Sequence, residues 1–327
     1  MKNIAIIGVG QLGSRHLQGL TSTKNKINIE LVEPFEQAQI TAKQRFDEIP
    51  KNENIHSLIF HDSLEGLSNE LDIVIIATNS DVRYRLAKEL LETKKVQYII
   101  FEKVLFQSYD EYDDMKNLLD EHNVKAWVNH PRRLFPFYHQ YLDEFQSSTR
   151  MNYHVEGGLW ALCSNSLHYI DHIMQLQPSL LPEVTLDTLS LDDTLLDSKR
   201  ANYLEVCGSL HGTIGNCDFT LSCNETVASA PIINILSDTV KMTIDEVSGW
   251  ARVATKKNGW KWEEYTGKIV YYQSELTGEV IDDILTTKKS MLPTYEEAMH
   301  LHKPFIQEIQ TKLNKLTDEE LILCPIS

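Results

Sequence analysis

The stretch that decides the fold is Ile4-Ala5-Ile6-Ile7-Gly8-Val9-Gly10-Gln11-Leu12-Gly13, followed twenty residues after Gly13 by Glu33. Ile4–Gly8 reads as a continuous apolar strand. Gly8-Val9-Gly10-Gln11-Leu12-Gly13 is a GxGxxG turn, and Gln11–Leu20 has helical spacing, with Leu12, His16, Leu17 and Leu20 on one side. Strand, glycine turn and helix in this order form the phosphate site of a dinucleotide fold. Gly8 permits the sharp turn, Gly10 lets the backbone approach a pyrophosphate, and Gly13 lets the helix pack close to the strand. The helix N-terminus offers free N–H groups and a partial positive charge. Glu33 ends the next strand, where its carboxylate would accept hydrogen bonds from ribose hydroxyls and repel a 2′-phosphate. That favours NAD over NADP.

The alternation continues outward from this unit. Strands are expected at Ile27–Val32, Ser57–Phe60, Asp72–Ala77, Tyr98–Phe101 and Val124–Val128, and helices at Phe35–Phe46, Val82–Leu91 and Tyr109–His122. Asp72–Ala77 is apolar on both faces, as a central parallel strand requires. The series predicts a doubly wound parallel sheet in an α/β fold. The pattern changes at Asn129-His130-Pro131-Arg132-Arg133-Leu134-Phe135-Pro136, where prolines stop a continuing element. The division is therefore 1–128, a Rossmann dinucleotide-binding domain, and 129–327, a second domain. In the latter a helix (Phe137–Phe145), a strand (Met151–Val155) and a helix (about Ser164 to Met174) precede short strands from Glu183 to Tyr272, including Tyr203–Leu210, Gly212–Leu221 and Ile232–Ile235. These predict a large, mostly antiparallel open sheet. Thr294 and Glu297 stand at capping-box spacing and open a late helix, about 294–313, which is expected to pack back on the first domain.

Composition excludes several functions. The chain has 327 residues, 31 Lys+Arg against 47 Asp+Glu, and a net charge of −16. Polyphosphate partners and anionic membranes both require basic patches, so neither nucleic acid nor a membrane is expected as partner. The length calls for two domains. Cys163, Cys207, Cys217, Cys223 and Cys324 are odd in number and contain no CxxC, which fits free thiols in a cytoplasmic protein.

Glu102-Lys103 follows the strand Tyr98–Phe101, where residues past strand ends line the ligand crevice. A lysine buried beside a cationic nicotinamide loses protons readily and could exchange one with a substrate hydroxyl. A surface ion pair is the alternative. Asn165, His168 and Asp171 are spaced i, i+3 and i+6, with His172 one turn beyond His168. His168 could bond a substrate hydroxyl, Asn165 position a neighbouring group and Asp171 orient the imidazole, or the histidine could be structural. His168 and His172 also have zinc-ligand spacing, but no third ligand declares itself and no metal is expected. Arg132 and Arg133 suit a carboxylate or phosphate, or an interdomain ion pair.

Taken together, these pieces resemble the Gfo/Idh/MocA family (glucose–fructose oxidoreductase, inositol dehydrogenase and rhizopine-catabolism proteins). The matching segments, in family order, are Gly8–Gly13 with His16, Asp72–Thr78, Glu102-Lys103, Arg132–Pro136, Asn165–Asp171 and Pro293–Ala298. The resemblance implies an N-terminal Rossmann domain and a C-terminal α/β domain whose sheet makes a homodimer or homotetramer. It implies NAD(P)-dependent hydride transfer at a sugar or cyclitol CH–OH carbon, with Lys103 and His168 near the reacting oxygen. Cofactor contacts are assigned to Gly8, Gly10, Gln11, Leu12, Gly13, Glu33, Thr78, Asn79, Glu102 and Lys103. Substrate contacts are assigned to Asn165, Arg132, Arg133 and Asp171. The wording of Asn129–Tyr138 and Leu159–Asp171 resembles members of bacterial surface-glycan and nonulosonate-sugar metabolism. Three positions depart from the family: Val104 stands where it has proline, Ser164 where its helix has aspartate, and Arg83 where it often has histidine. These departures sustain a second reading, a non-catalytic NAD(H)-binding regulator.

Overall fold

Lys2–Ile7 forms β1, with Ile4, Ala5 and Ile6 fully buried and Ile7 1 % exposed, so apolar side chains fill both faces. The computed structural model describes residues 1–317 and 320–327. After β1 come α1 (Gly13–Leu20), β2 (Ile27–Val32), α2 (Glu36–Asp47), β3 (Ile55–His61), β4 (Glu70–Ile76), α3 (Ser80–Thr93), β5 (Lys95–Phe101), α4 (Asp110–Glu121) and β6 (Lys125–Val128). Among the described residues, six strands pair in the order β3-β2-β1-β4-β5-β6, with every pairing parallel. The order reverses between β1 and β4, which opens a crevice at the C-terminal strand ends. The expected doubly wound sheet is what forms.

The chain continues through α5 (Pro136–His139), α6 (Leu142–Gln146), β7 (Met151–Gly158), α7 (Leu162–Gln175), β8 (Val184–Asp187), β9 (Leu191–Asp197), β10 (Leu204–Ile214), β11 (Cys217–Asn224), β12 (Ser229–Ser237), β13 (Val240–Asp245), β14 (Trp250–Thr255) and β15 (Glu263–Thr266). Among the described residues these nine strands form one sheet, antiparallel except for the β7–β11 pair. One face is apolar: Tyr153 and Val155 of β7 and Phe219 and Leu221 of β11 are at most 2 % exposed, and α7 packs against β10 and β11. Two expectations differ in detail. The helix read over Phe137–Phe145 is two short ones, interrupted at Tyr141, whose backbone leaves the helical region. The strands read as Tyr203–Leu210 and Gly212–Leu221 are cut in the wrong place. β10 runs through Gly212 to Ile214, and the turn falls at Gly215 and Asn216. Gly212 is there because Thr185 and Phe219 approach it too closely for a Cβ.

Two helices close the chain, α8 (Gln273–Thr287) and α9 (Tyr295–Leu316). Sequence reading assigned no element to 273–287, yet α8 packs on α1, and Gly19 and Gly278 allow the two backbones to meet. Val280, Ile281 and Ile284 join the core formed by Ile4, Ile6, Leu17, Leu20 and Ile75. At α9 the capping box forms: Glu297 N–H donates to Thr294 Oγ1 at 3.2 Å, and Thr294 N–H donates to the Glu297 carboxylate at 2.8 Å. By compactness the first unit is Met1–Phe106, Asp110–Leu134 and Tyr271–Ala298, and the second is Gln107–Tyr109, Phe135–Val270 and Met299–Ser327. The first turn of α9 thus counts with the first unit and its remainder with the second. Among the described residues no helix is long and apolar enough to cross a membrane.

Candidate functional site

The glycine turn has the geometry its sequence calls for. Gly8 adopts φ +82° and lies against Thr78, whose methyl a Cβ would meet at 2.8 Å. A Cβ on Gly13 would collide with the Gly8 carbonyl oxygen. Gly10 is different: it is exposed, and a Cβ there meets nothing in the protein. Its side is therefore open to a ligand rather than to another strand. Helix α1 begins after Leu12 with no side-chain cap, and its first turn closes on the backbone, with the Ser14 N–H donating to the Gly10 carbonyl at 3.0 Å and the Arg15 N–H to the Leu12 carbonyl at 2.9 Å.

Thr78, just past β4, carries a buried hydroxyl with no partner among the described residues, which suits a ligand at this turn. Asn79 is exposed and starts α3 without a side-chain cap. Glu33 ends β2, where its carboxylate accepts the Val9 N–H at 3.0 Å and the Phe35 N–H at 3.2 Å. It thus holds the glycine turn. Gln11 accepts from Arg45 of α2 at 2.8 Å, and Arg45 also bonds Ser14 at 2.6 Å. Arg45 escaped sequence reading, because nothing local marks a helix residue that reaches back to a preceding turn. The open side of Gly10 and the Thr78 hydroxyl together fit a dinucleotide.

On the other side of the switch point lie Glu102 and Lys103. Glu102 is buried between His16, at 2.7 Å, and Asn129, at 2.5 Å. Lys103 is half-buried, and the Lys103–Val104 peptide is cis. Arg83 is buried and donates to the carbonyls of Thr78, Val104 and Leu105, the last at 3.1 Å. It therefore ties the loop after β4 to the loop after β5. Arg133 pairs with Glu297 at 3.4 Å, within the first unit, and Arg132 is half-buried. His130 is fully buried. Burial first, and then the positive charges of Arg133, Lys103 and Arg132, hold its imidazole well below the ordinary 6.5, so it is neutral at neutral pH. Three cations therefore gather around one histidine that sequence reading had not singled out.

In the second unit the predicted helix residues lie on α7. Asn165 and His168 are half-buried and Asp171 is fully buried. The Asn165 amide donates to the Trp160 carbonyl at 2.7 Å, tying the helix to the turn before it. His172 belongs to the core: its Nδ1 lies 2.9 Å from the Tyr153 hydroxyl, and its ring lies 4.1 Å from that of Tyr138. Ser164, where an acid was expected from the resemblance, bonds a carboxylate from elsewhere. Glu205 of β10 accepts the N–H groups of Cys163, at 2.7 Å, and Ser164, at 3.2 Å, and also the Ser164 hydroxyl. A strand residue thus caps α7 in place of its own first turn, a link that sequence spacing cannot reveal. Among the described residues no group of three His, Cys, Asp or Glu is arranged to hold a metal.

Comparison with known proteins agrees with this geometry. Residues 2–130 match the model of the oxidoreductase family with an NAD-binding Rossmann fold, Gfo/Idh/MocA. No curated protein matches the sequence. Solved structures resemble nearly the whole chain. A Gfo/Idh/MocA family oxidoreductase from Vibrio cholerae is 17% identical, with a TM-score of 0.68, over 96% of this chain and 99% of that one. The UDP-N-acetylglucosamine 3-dehydrogenase GnnA from Acidithiobacillus ferrooxidans is 13% identical, with a TM-score of 0.67, over 94% and 96%. A super-repressor mutant of Gal80p from Saccharomyces cerevisiae is 14% identical, with a TM-score of 0.70, over 96% of each chain. Residues 2–130 thus match the NAD-binding Rossmann domain of the Gfo/Idh/MocA oxidoreductase family, and over nearly its whole length the chain shares the fold of solved structures that include an oxidoreductase of that family.

Proposed function

We propose that the chain is an NAD-dependent dehydrogenase or reductase that transfers a hydride to or from a CH–OH carbon of a sugar or sugar derivative. The observation that carries this reading is the glycine turn, open beside Gly10 and floored by the unpartnered Thr78 hydroxyl, with a lysine at the end of β5. Bound nicotinamide would supply the hydride acceptor or donor. The chain's own task is the proton: the hydroxyl must lose it as the hydride leaves, and a basic group within hydrogen-bond reach is required. Lys103 and His168 are the proposed pair. Asn165, Arg132, Arg133 and Asp171 are the proposed substrate residues. Glu33 supports NAD over NADP, since a 2′-phosphate would meet a carboxylate. The likeness to GnnA supports a sugar substrate, and we place the reaction in surface-glycan or nonulosonate-sugar metabolism of the cytoplasm. The large sheet of the second unit is the proposed surface for a homodimer or homotetramer.

The test is NADH formation with NAD⁺ and a panel of free and nucleotide-linked sugars. Lys103→Ala or His168→Ala should lower the hydride-transfer rate by ~10²–10⁴ fold while cofactor affinity changes little. Asn165→Ala should raise KM more than it lowers kcat. A second reading, an NAD(H)-binding regulator, is favoured by Ser164 in place of the family's acid and by the likeness to Gal80p. It would bind NAD(H), turn over no sugar, and change its affinity for a protein partner with the nucleotide.

A further inference from the structure

Glu102 is one member of a closed ring of hydrogen bonds inside the first unit. His16 Nε2 lies 2.7 Å from Glu102 Oε1, and Asn129 Nδ2 donates to the same oxygen at 2.5 Å. Asn129 Nδ2 also donates to Gln273 Oε1 at 2.7 Å, Gln273 Nε2 donates to Thr277 Oγ1 at 2.9 Å, and Thr277 Oγ1 lies 3.0 Å from His16 Nδ1. The members come from α1, from the ends of β5 and β6, and from α8. Glu102 is 2 % exposed, His16 and Thr277 1 %, and Asn129 3 %. Both hydrogens of the Asn129 amide are used, and one carboxylate oxygen takes two donors, so the acid is fixed in one orientation. Stability does not account for a carboxylate here, because apolar side chains of similar volume serve a core as well or better.

Position suggests what the charge is for. Glu33 marks the adenosine side, at the end of β2, and the glycine turn follows β1. With the order β2-β1-β4-β5, the other half of a dinucleotide extends over the ends of β4 and β5, where Glu102 stands. That half carries the nicotinamide, which is cationic when oxidised and neutral when reduced. Lys103 and Arg83, on the same rim, oppose a cation. Of the nearby acids, Asp81 is exposed to water and Glu297 is paired with Arg133. We infer that Glu102, held by this ring, selects the oxidation state of the cofactor by stabilising the cationic nicotinamide, and that His16, Asn129, Gln273 and Thr277 are positioning residues acting through it. The inference rests on the nicotinamide cofactor proposed above. Attraction between unit charges several ångströms apart at a protein-like dielectric is worth roughly ten- to fiftyfold in an equilibrium constant.

Calorimetric titration with NAD⁺ and NADH, on the wild type, Glu102→Gln and Thr277→Val, tests it, with thermal melts alongside. Glu102→Gln keeps the shape and an acceptor for Asn129 but removes the charge. The ratio of Kd for NAD⁺ to Kd for NADH should rise roughly ten- to fiftyfold, mainly through weaker NAD⁺ binding. Thr277→Val leaves the charge but opens the ring, and should move the ratio the same way by roughly two- to fivefold. A merely structural role would weaken both nucleotides alike. An unchanged ratio in a cooperatively melting Glu102→Gln overturns the inference, and this is also the result a cationic His16 would give by cancelling the charge. Should Glu102→Gln fail to fold, an unchanged ratio in Thr277→Val overturns it. If the wild type binds neither nucleotide, the cofactor reading falls and this inference falls with it. Binding without a change of ratio sinks the inference alone.

Discussion

The sheet of the first unit hides both of its faces, whereas the sheet of the second hides one. In β1 and β4 consecutive residues are buried, Ile4 to Ile7 and Ile73 to Ile76. In β7, β11 and β13 buried residues alternate with half-exposed or exposed ones. Helices on both sides of a parallel sheet demand the first pattern, and a sheet covered on one side permits the second. The difference teaches where each unit can work. A sheet packed on both faces can offer only its strand ends, and the glycine turn, Thr78, Glu102 and Lys103 all lie there. A sheet with one open face has a broad surface to offer as well.

The largest expected effect breaks the first pattern. Ile75 is fully buried near the C-terminal end of β4, so Ile75→Ala should destabilise by about 2–5 kcal/mol in chemical denaturation. Glu156, exposed on β7 of the other sheet, should cost under about 0.5 kcal/mol as Glu156→Ala. Similar losses at both sites would mean that the second sheet is covered too.

Within the first unit, two glycines of one turn should separate stability from binding. Gly13→Val drives a side chain into the Gly8 carbonyl and should cost about 1–3 kcal/mol or more as well as nucleotide binding. A Cβ on Gly10 meets no protein atom within 4 Å, so the melting temperature of Gly10→Val should hold while NAD(H) binding is lost. Undiminished binding by Gly10→Val would make the turn structural only.

His130 predicts a pH effect of intermediate size. Its folded imidazole resists protonation, while in the unfolded chain it takes a proton below about 6.5. The unfolded state then holds more protons, so stability is full above 6.5 and falls as the pH drops below it, by at most about 1.4 kcal/mol per pH unit. Denaturation at pH 7.5 and 5.5 should show a smaller loss for His130→Gln than for the wild type. Equal losses would assign the acid sensitivity to other groups.

These contrasts also explain what was legible in the sequence. Strands buried on both faces appear as unbroken apolar runs, and the glycine turn needs particular residues at fixed spacing, so β1, β4, Gly8, Gly10 and Gly13 could be read directly. Alternating strands blur at their ends, which is why the β10–β11 turn was misplaced by several residues. Glu205, Gln273, Thr277 and Arg45 act over distances in sequence that no local pattern records. Gln273 and Thr277 reach His16 and Asn129 only because Gly19 and Gly278 let α8 lie against α1.

The smallest effect on stability belongs to the open face of the second sheet, and it sharpens the comparison most. Asn152, His154, Asn234, Leu236, Lys241 and Trp262 line a shallow depression there. Leu236 is 50 % exposed and Trp262 47 %. Arg252 lies 4.6 Å from the centre of the Trp262 ring, and Lys241 lies 4.8 Å from that of Trp260, so cations border the apolar groups. If two copies pair through this face, Leu236→Asp buries a carboxylate at their junction, and the assembly should dissociate. In a single chain the same substitution faces water and should change unfolding stability by under about 0.5 kcal/mol. Light scattering over a range of concentrations, alongside denaturation, separates the two. A wild type that is monomeric throughout, or a variant of unchanged mass, would remove the open face as the site of assembly.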